Sequence, residues 1–202
     1  RACKESGAKR IMYLSHHGAD RGSAYPVMKA KGIAENWIIN SGIPYTIFRT
    51  GAIFGPGDQF TEPIARLLRM SPGFFLIPEE GKSLLQPLWV EDLVTCMVLA
   101  VEDKRMAGRV LAIGGIEFIP YAEIVRLIMK KTGIKRSLVS IGPDSLRRLT
   151  LYIDQIYRRF PISIFWLDQL AVDRITSLDV IPREFGMMPV RFKNQLDHLV
   201  KG

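Results

Sequence analysis

The chain has 202 residues, 48% hydrophobic and 24% charged, a composition typical of a globular protein with a sizeable core and unlike a collagenous, disordered or disulfide-stapled chain. A net charge of +8 favours an anionic partner, but the cations are dispersed and form no block of five, so no nucleic-acid-binding function is predicted. The two cysteines, Cys3 and Cys96, form neither a CxxC nor a metal-ligand spacing, so no metal site is predicted either.

The first third of the chain has a strand, helix, strand pattern. Residues 11–14 are predicted to form a short buried strand, residues 25–40 carry apolar side chains at near-helical spacing, and residues 45–48 form a second strand. Such a crossover unit favours a parallel sheet with helices on its faces.

The alternation of helix and strand continues to residue 141, and the class predicted is therefore α/β. The elements predicted are a helix over 63–70, a short strand or loop over 74–77, an apolar helix over 91–102, a strand over 110–113, a helix over 121–131 and a strand over 138–141.

Beyond residue 142 the pattern becomes mainly helical, with helices predicted over 144–160, 164–173 and 192–201. The sequence thus predicts an α/β portion over 1–141 and a mainly helical lobe over 142–202. The aromatic and basic mixture of residues 147–166 is compatible with a membrane-surface contact, and also with amphipathic packing onto the α/β core.

The pattern Tyr25-x-x-x-Lys29 stands at the start of the first long helix. One helical turn brings the phenol and the ammonium to the same face, where the cation favours the phenolate form, an arrangement suited to acid/base chemistry. A tyrosine packed at a helix start beside an exposed lysine fits the spacing equally well.

Five ordered blocks extend this pattern: residues 11–15, Tyr25-x-x-x-Lys29 with Ala34-Glu35, residues 43–49, residues 53–57, and residues 86–93. Together they resemble the later two-thirds of the extended and atypical short-chain dehydrogenase/reductases, the NAD-dependent epimerase/dehydratase-like proteins, in the branch that includes an accessory subunit of respiratory complex I and bacterial relatives. The resemblance implies the C-terminal part of a Rossmann-like doubly wound parallel sheet with a small helical substrate-side lobe.

The resemblance assigns the acid/base role in hydride transfer to Tyr25 and the nicotinamide-ribose contact to Lys29. It also implies a hydroxyl beside the preceding strand, for which Ser15 is the candidate. His17 occupies the position, two residues on, where extended members usually place that hydroxyl, so it is a candidate too. Adjacent histidines in a loop, here His16 and His17, are also compatible with simple solvation.

The small residues after the second strand let backbone approach a ring closely, and in the resembling family this loop borders the nicotinamide. Thr50, Gly51, Ala52 and Ile53 are therefore the candidate cofactor-binding residues beside Tyr25 and Lys29, although a turn that needs its glycines explains the loop equally well. Gln86 and Trp89 are the candidate substrate-side residues; Trp89 also fits a core aromatic, and Asp92 a partner of the helix dipole.

No glycine-rich GxGxxG turn between a strand and a helix occurs in the sequence. Because the chain opens without methionine on a helix-like segment, we expect the first βα units of such a fold to lie upstream of Arg1. The cofactor expected is NAD or NADP, bound only together with that missing half.

Two functions follow from the resemblance. The first is an NAD(P)-binding reductase-like protein whose catalytic serine position is occupied by His17, and which contacts a respiratory complex or a membrane surface. The alternative is an active NAD(P)-dependent sugar-nucleotide epimerase/dehydratase or reductase acting on a small molecule. The sequence has no run of eighteen apolar residues and no signal-like start, so we expect a cytoplasmic protein, or one peripheral to the inner face of a membrane, and not a secreted one.

Overall fold

The structure is a computed structural model that describes residues 2–156 and 175–200. Its helices are α1 (Ala2–Glu5), α2 (Pro26–Ile39), α3 (Thr61–Met70), α4 (Val90–Glu102), α5 (Tyr121–Thr132), α6 (Pro143–Ile156) and α7 (Val180–Phe185). Its strands are β1 (Ile11–His16), β2 (Tyr45–Thr50), β3 (Ile53–Phe54), β4 (Phe74–Pro78), β5 (Leu84–Leu85), β6 (Leu88–Trp89), β7 (Arg109–Ile113), β8 (Ile119–Pro120) and β9 (Ser137–Ile141).

The central sheet has the strand order β1-β2-β7, and both pairings are parallel. Ile11 lies opposite Tyr45, and His16 opposite Thr50, so the carboxyl ends of β1 and β2 meet at one edge. Helix α2 connects these two strands, which confirms the predicted α/β class and its parallel crossover.

Helix α2 begins at Pro26, whose fixed φ suits the first helical turn. Its buried face consists of Met28, Gly32 and Glu35. A Cβ at Gly32 would lie 2.4 Å from the backbone carbon of Asp20, so only glycine permits this approach of helix and loop.

An ion pair joins α2 to the sheet. The Nε of Arg49 on β2 donates to Glu35 Oε1 at 2.9 Å, and its Nη2 donates to Glu35 Oε2 at 2.5 Å. The Glu35 side chain is only 4% exposed while that of Arg49 is 36% exposed, so the carboxylate depends on the guanidinium far more than the reverse.

The remaining strands form three two-stranded sheets: β3 with β6 and β4 with β9 in parallel, and β5 with β8 antiparallel. The strand predicted over 138–141 therefore exists as β9, but it pairs with β4 rather than extending the central sheet. Helices α3 and α5 bury their apolar faces in one core cluster together with Phe54, Phe75 and Phe192.

The C-terminal residues pack into both cores. Ile181 of α7 packs with Phe48 and Leu111, whereas Phe192 and Leu199 pack with α3 and α5. The helix predicted over 192–201 is instead two short 3-10 turns, Phe192–Asn194 and Asp197–Val200.

The difference has a tertiary cause, because the first of these turns is held from outside the segment. The Phe192 N–H donates to Glu117 Oε1 at 2.7 Å, and Gln195, which ends the turn, adopts a non-helical backbone.

Helix α6 matches the first part of the helix predicted over 144–160. The rest of that helix, the helix predicted over 164–173, and the aromatic and basic residues Tyr157, Arg158, Arg159, Phe160, Phe165 and Trp166 lie outside the described residues. The division of the chain at residue 142 remains a prediction. Over the described ranges, no helix is long and apolar enough to cross a membrane.

Removing either member of the Glu35–Arg49 pair is expected to have unequal effects on stability. Arg49→Met leaves a carboxylate buried without a partner and is expected to lower the free energy of unfolding by about 3–5 kcal/mol. Glu35→Gln leaves a guanidinium that reaches water, with an expected loss of about 1 kcal/mol. Urea denaturation of both variants measures the difference, and equal losses would contradict this asymmetry.

Candidate functional site

A cavity of about 370 Å³ opens at the carboxyl edge where β1 and β2 end. Its wall is mainly the loop that follows β2. The lining residues are His16, Gly51, Ala52, Ile53, Phe54, Gly55, Pro56, Gly57, Asp58, Gln59, Phe60, Leu85 and Val90. Three of the four predicted loop residues thus line the cavity, while Thr50 is buried at the end of β2. None of these lining residues is a lysine or arginine.

His16, rather than His17, lines this cavity. The two side chains alternate across the extended chain, and the His17 N–H continues the ladder by donating to Thr50 O at 2.9 Å. The His16 Nδ1 lies 2.7 Å from the His17 carbonyl oxygen. Because both imidazoles are buried, simple solvation does not describe them.

Ser15 is buried in β1, one residue before His16. Its Oγ has no hydrogen-bond partner within the described part of the chain. A buried hydroxyl without a partner is costly.

Tyr25 is half-buried at the N-cap of α2, and Lys29 is exposed one turn later, where its N–H donates to the Tyr25 carbonyl at 2.9 Å. Neither side chain lines the cavity. Their pairing in acid/base chemistry remains a prediction, as do the roles of Ser15 and His17.

Lys31 is a residue that the sequence reasoning missed. Its Nζ donates to the Leu14 carbonyl of β1 at 2.8 Å and lies 5.0 Å from the centre of the Tyr13 ring. Its position on the helix could have predicted this contact, because Lys31 lies three residues after Met28 and four before Glu35 and therefore beside the buried face of α2. Lys29, by contrast, is exposed.

Asp58 is a second missed residue, and it fixes the cavity loop. Its Oδ1 accepts the N–H groups of Phe60, Thr61 and Glu62 at 2.7–3.0 Å, and its Oδ2 accepts the Gly55 N–H at 2.9 Å. A carboxylate just before a helix is a recognisable capping signal. The backbone of Gly55 lies so close to the Val90 side chain that a Cβ at position 55 would be 2.6 Å from Val90 Cγ1.

The Asp58 cap also reaches the C-terminal segment. The Thr61 hydroxyl donates to Asp58 Oδ2 at 2.5 Å and lies 3.0 Å from His198 Nε2. His198 is buried beside Trp89, with ring centres 6.2 Å apart. The residues behind the cavity wall are therefore held by groups that lie far apart in the sequence.

Gln86 and Trp89 occupy structural positions. Gln86 is fully buried, its Nε2 donates to the Gly115 carbonyl at 2.7 Å, and its Oε1 accepts the Thr176 N–H at 2.7 Å. Trp89 is buried 5.2 Å from the Phe54 ring. Neither lines the cavity, so their substrate-side roles remain predictions for which these contacts give no support.

Asp92 and Cys96 are buried on α4. Asp92 Oδ2 accepts the Val190 N–H at 2.9 Å, and burial raises its pKa. Burial also raises the pKa of Cys96 to about 12, so it is a neutral thiol at physiological pH. Over the described residues, no cluster of three histidine, cysteine, aspartate or glutamate side chains fits a metal ion.

Parallel strands joined by a crossover helix, with a cavity at their carboxyl ends, define a Rossmann-like α/β protein. No family model matches the chain. Among curated proteins, it is 24% identical over 95% of its length to the mitochondrial NADH dehydrogenase (ubiquinone) 1 alpha subcomplex subunit 9 of Arabidopsis thaliana, covering 52% of that protein. It is also 25% identical over 72% of its length to the YbjS protein of Escherichia coli K12, covering 45% of it.

Solved structures show the same fold. A triphenylmethane reductase of Citrobacter sp. superposes with a TM-score of 0.75 at 15% identity, over 100% of this chain and 68% of that one. The UDP-glucose 4-epimerase of Thermotoga maritima gives 0.67 at 19% identity, over 98% of this chain and 64% of that one. These comparisons confirm the resemblance to the epimerase and short-chain reductase proteins. The chain spans about half the length of the curated relatives described here.

Gln86→Leu is expected to destabilise the protein by about 2–4 kcal/mol, because it leaves the buried Gly115 carbonyl and Thr176 N–H unpaired. Gln86→Glu retains an acceptor for Thr176 and is the matched control for that bond. Thermal denaturation and ligand-binding measurements on both variants distinguish a structural role of Gln86 from a substrate contact. A Gln86→Leu protein that keeps its stability but loses ligand affinity would favour the substrate contact.

Asp92→Asn is expected to remove a pH dependence of stability. Because the folded pKa of Asp92 is raised, the free energy of unfolding falls as the pH rises from about 4 through that raised pKa. An asparagine Oδ1 still accepts the Val190 N–H but does not titrate. Urea denaturation across this range should show wild type losing stability relative to the variant with rising pH; parallel profiles would contradict the expectation.

Proposed function

We propose that the protein is an NAD(P)-binding, reductase-like protein and that this chain supplies the nicotinamide-ring and substrate side of its site. The observation that carries the proposal is the cavity lined by Gly51, Ala52, Ile53 and His16 at the carboxyl edge of a parallel sheet. Open α/β sheets bind ligands at this edge.

The residues at the cavity fit a nicotinamide ring rather than the phosphates of the cofactor. The described lining is largely apolar and includes one carboxylate, that of Asp58, and the unpartnered Ser15 hydroxyl is buried near the end of β1. The sequence contains no glycine-rich phosphate turn. When bound, NAD or NADP supplies hydride transfer.

Tyr25 is the proposed proton donor, with Lys29 as its electrostatic partner one turn along α2. Lys31 is a second candidate for the cationic role, because its ammonium lies at the end of β1 while Lys29 is exposed. Ser15 is proposed to orient the substrate oxygen, and His17 fixes the neighbouring backbone through its bond to Thr50.

The lining favours an uncharged or apolar substrate over a nucleotide sugar. A site for a sugar diphosphate provides cations and hydrogen-bonding groups that match the substrate. Apart from His16, Asp58 and Gln59, the described residues of the cavity wall offer aromatic, aliphatic and glycine groups, and none of them is a lysine or arginine. We therefore rank a reductase function above sugar-nucleotide epimerisation or dehydration.

A non-catalytic role in a respiratory assembly is the second candidate. Histidine rather than serine or threonine follows β1 at position 17, and the Arabidopsis relative is named as a subunit of NADH dehydrogenase. In this role the nucleotide stabilises the fold, and the protein acts inside the cell, peripheral to a membrane or beside membrane subunits.

Tyr25→Phe in the whole protein is expected to leave folding nearly intact and to abolish NADH- or NADPH-dependent reduction, because the ring remains while the proton donor is lost. The measurement is turnover with a panel of quinones, dyes and nucleotide sugars beside calorimetric NADH and NADPH binding. Turnover equal to wild type would remove Tyr25 from the mechanism. NADH binding without turnover in wild type would favour the assembly role.

Lys29→Met and Lys31→Met are a matched pair that identifies the cation. Replacing the lysine that contacts the ribose is expected to weaken NADH binding at least tenfold, which is about the effect of losing one charge-assisted hydrogen bond. The other replacement should change the affinity less than about twofold. Unchanged affinity in both variants would contradict a tyrosine–lysine pair.

A further inference from the structure

A second surface of the molecule combines cations with exposed apolar side chains and shares no residue with the cavity. It is formed by α3, β4, α5 and β9. Residues 61–78 and 121–143, which include these elements, contain two and five lysines or arginines respectively, and two glutamates, Glu62 and Glu123. Such a composition concentrates positive charge in one region of the fold.

The two segments meet through the pairing of β4 with β9. Phe74 lies opposite Ser137, and the Ser137 N–H donates to the Gly73 carbonyl at 3.0 Å. Lys135 and Arg136, immediately before β9, therefore lie beside the end of α3 and the start of β4.

The cations of this surface that have no carboxylate partner among residues 2–156 and 175–200 include Lys130, Lys135 and Arg136. These three line a shallow cavity of about 400 Å³ together with Met129, Gly133 and Ile134. The Nη1 of Arg136 donates to the Lys135 carbonyl, and its Nε is buried without a partner. Two neighbouring cations form ion pairs: Lys131 with Asp197, and Arg126 with Glu123.

Apolar side chains are exposed beside these cations. Met70 is 57% exposed, Phe74 45% and Val139 43%. Phe74 and Val139 lie on the same, outer face of the two-stranded sheet, because Phe74 shares a face with Leu76, two residues further on, and Leu76 lies opposite Val139. We call Lys130, Lys135, Arg136, Met70, Phe74 and Val139 the basic face.

We propose that the basic face docks on an anionic phospholipid bilayer. Lysine and arginine neutralise the headgroups while adjacent methionine, phenylalanine and valine side chains enter the interface. The occupant proposed is a bilayer because lysine and arginine side chains keep their charges at the headgroups while their apolar stems and the neighbouring apolar side chains enter the interface. The inference stands independently of the proposed nucleotide function.

Vesicle flotation of the whole protein tests the proposal. Vesicles of phosphatidylcholine with about a third phosphatidylserine should bind the protein, and phosphatidylcholine alone should not, with binding lost as salt rises. The charge variant Lys130→Gln/Lys135→Gln should weaken binding about fivefold per cation removed. The matched control Lys4→Gln/Lys9→Gln removes the same charge from exposed positions outside the basic face and should bind like wild type.

The apolar contribution has its own pair of variants. Met70→Gln should weaken vesicle binding about threefold or more, whereas Trp37→Gln, a replacement of a side chain 74% exposed on α2, should not. Circular dichroism establishes that each variant is folded. Equal binding to neutral vesicles, equal losses in both charge variants, or no binding to anionic vesicles would each overturn the proposal.

Discussion

The ion pair between Glu35 and Arg49 fixes the crossover helix against the sheet, and the candidate site depends on that placement. Glu35 is buried on α2 and Arg49 lies one residue before the end of β2. The pair therefore sets the position of the helix that carries Tyr25, Lys29 and Lys31 relative to the loop that follows β2. A lateral shift of α2 would move these side chains and would also leave the Glu35 carboxylate buried without its partner.

The irregular C-terminal segment is held by side chains of other elements rather than by a regular hydrogen-bond ladder. Gln86 accepts the Thr176 N–H, Asp92 accepts that of Val190, and Glu117 accepts that of Phe192. Buried backbone N–H groups outside helices and sheets need such partners. The same segment supplies His198 to the Asp58 and Thr61 cap, so the shape of the cavity loop is coupled to residues far away in sequence.

Local patterns predicted the fold well where the elements carry their own signal. Apolar runs predicted β1 and β2, and three of the loop residues that the sequence singled out, Gly51, Ala52 and Ile53, line a cavity. Gln86 and Asp92 differ, because their partners, Thr176 and Val190, lie 90 and 98 residues away in the sequence. No spacing rule reveals such contacts.

The site residues show the same limit at shorter range. The pattern of residues 25–29 predicted a role for Lys29. In the structure, the buried face of α2, formed by Met28, Gly32 and Glu35, instead places Lys31 against the sheet. His16 and His17 are adjacent in sequence, but strand alternation points their side chains to opposite faces, and only His16 lines the cavity. Asp58 was recognisable as a helix cap, whereas its link to His198 required the tertiary structure.

The distribution of charge separates two kinds of contact in this molecule. Among the described residues, none that line the cavity is a lysine or arginine. Unpaired cations instead cluster on α5 and before β9, beside exposed apolar side chains. In a cavity whose described lining is largely apolar, affinity comes mainly from ring contacts and a few hydrogen bonds and depends little on salt, whereas a contact through the basic face is screened within about 10 Å at ordinary ionic strength. Salt dependence therefore distinguishes the two surfaces without any knowledge of the ligand.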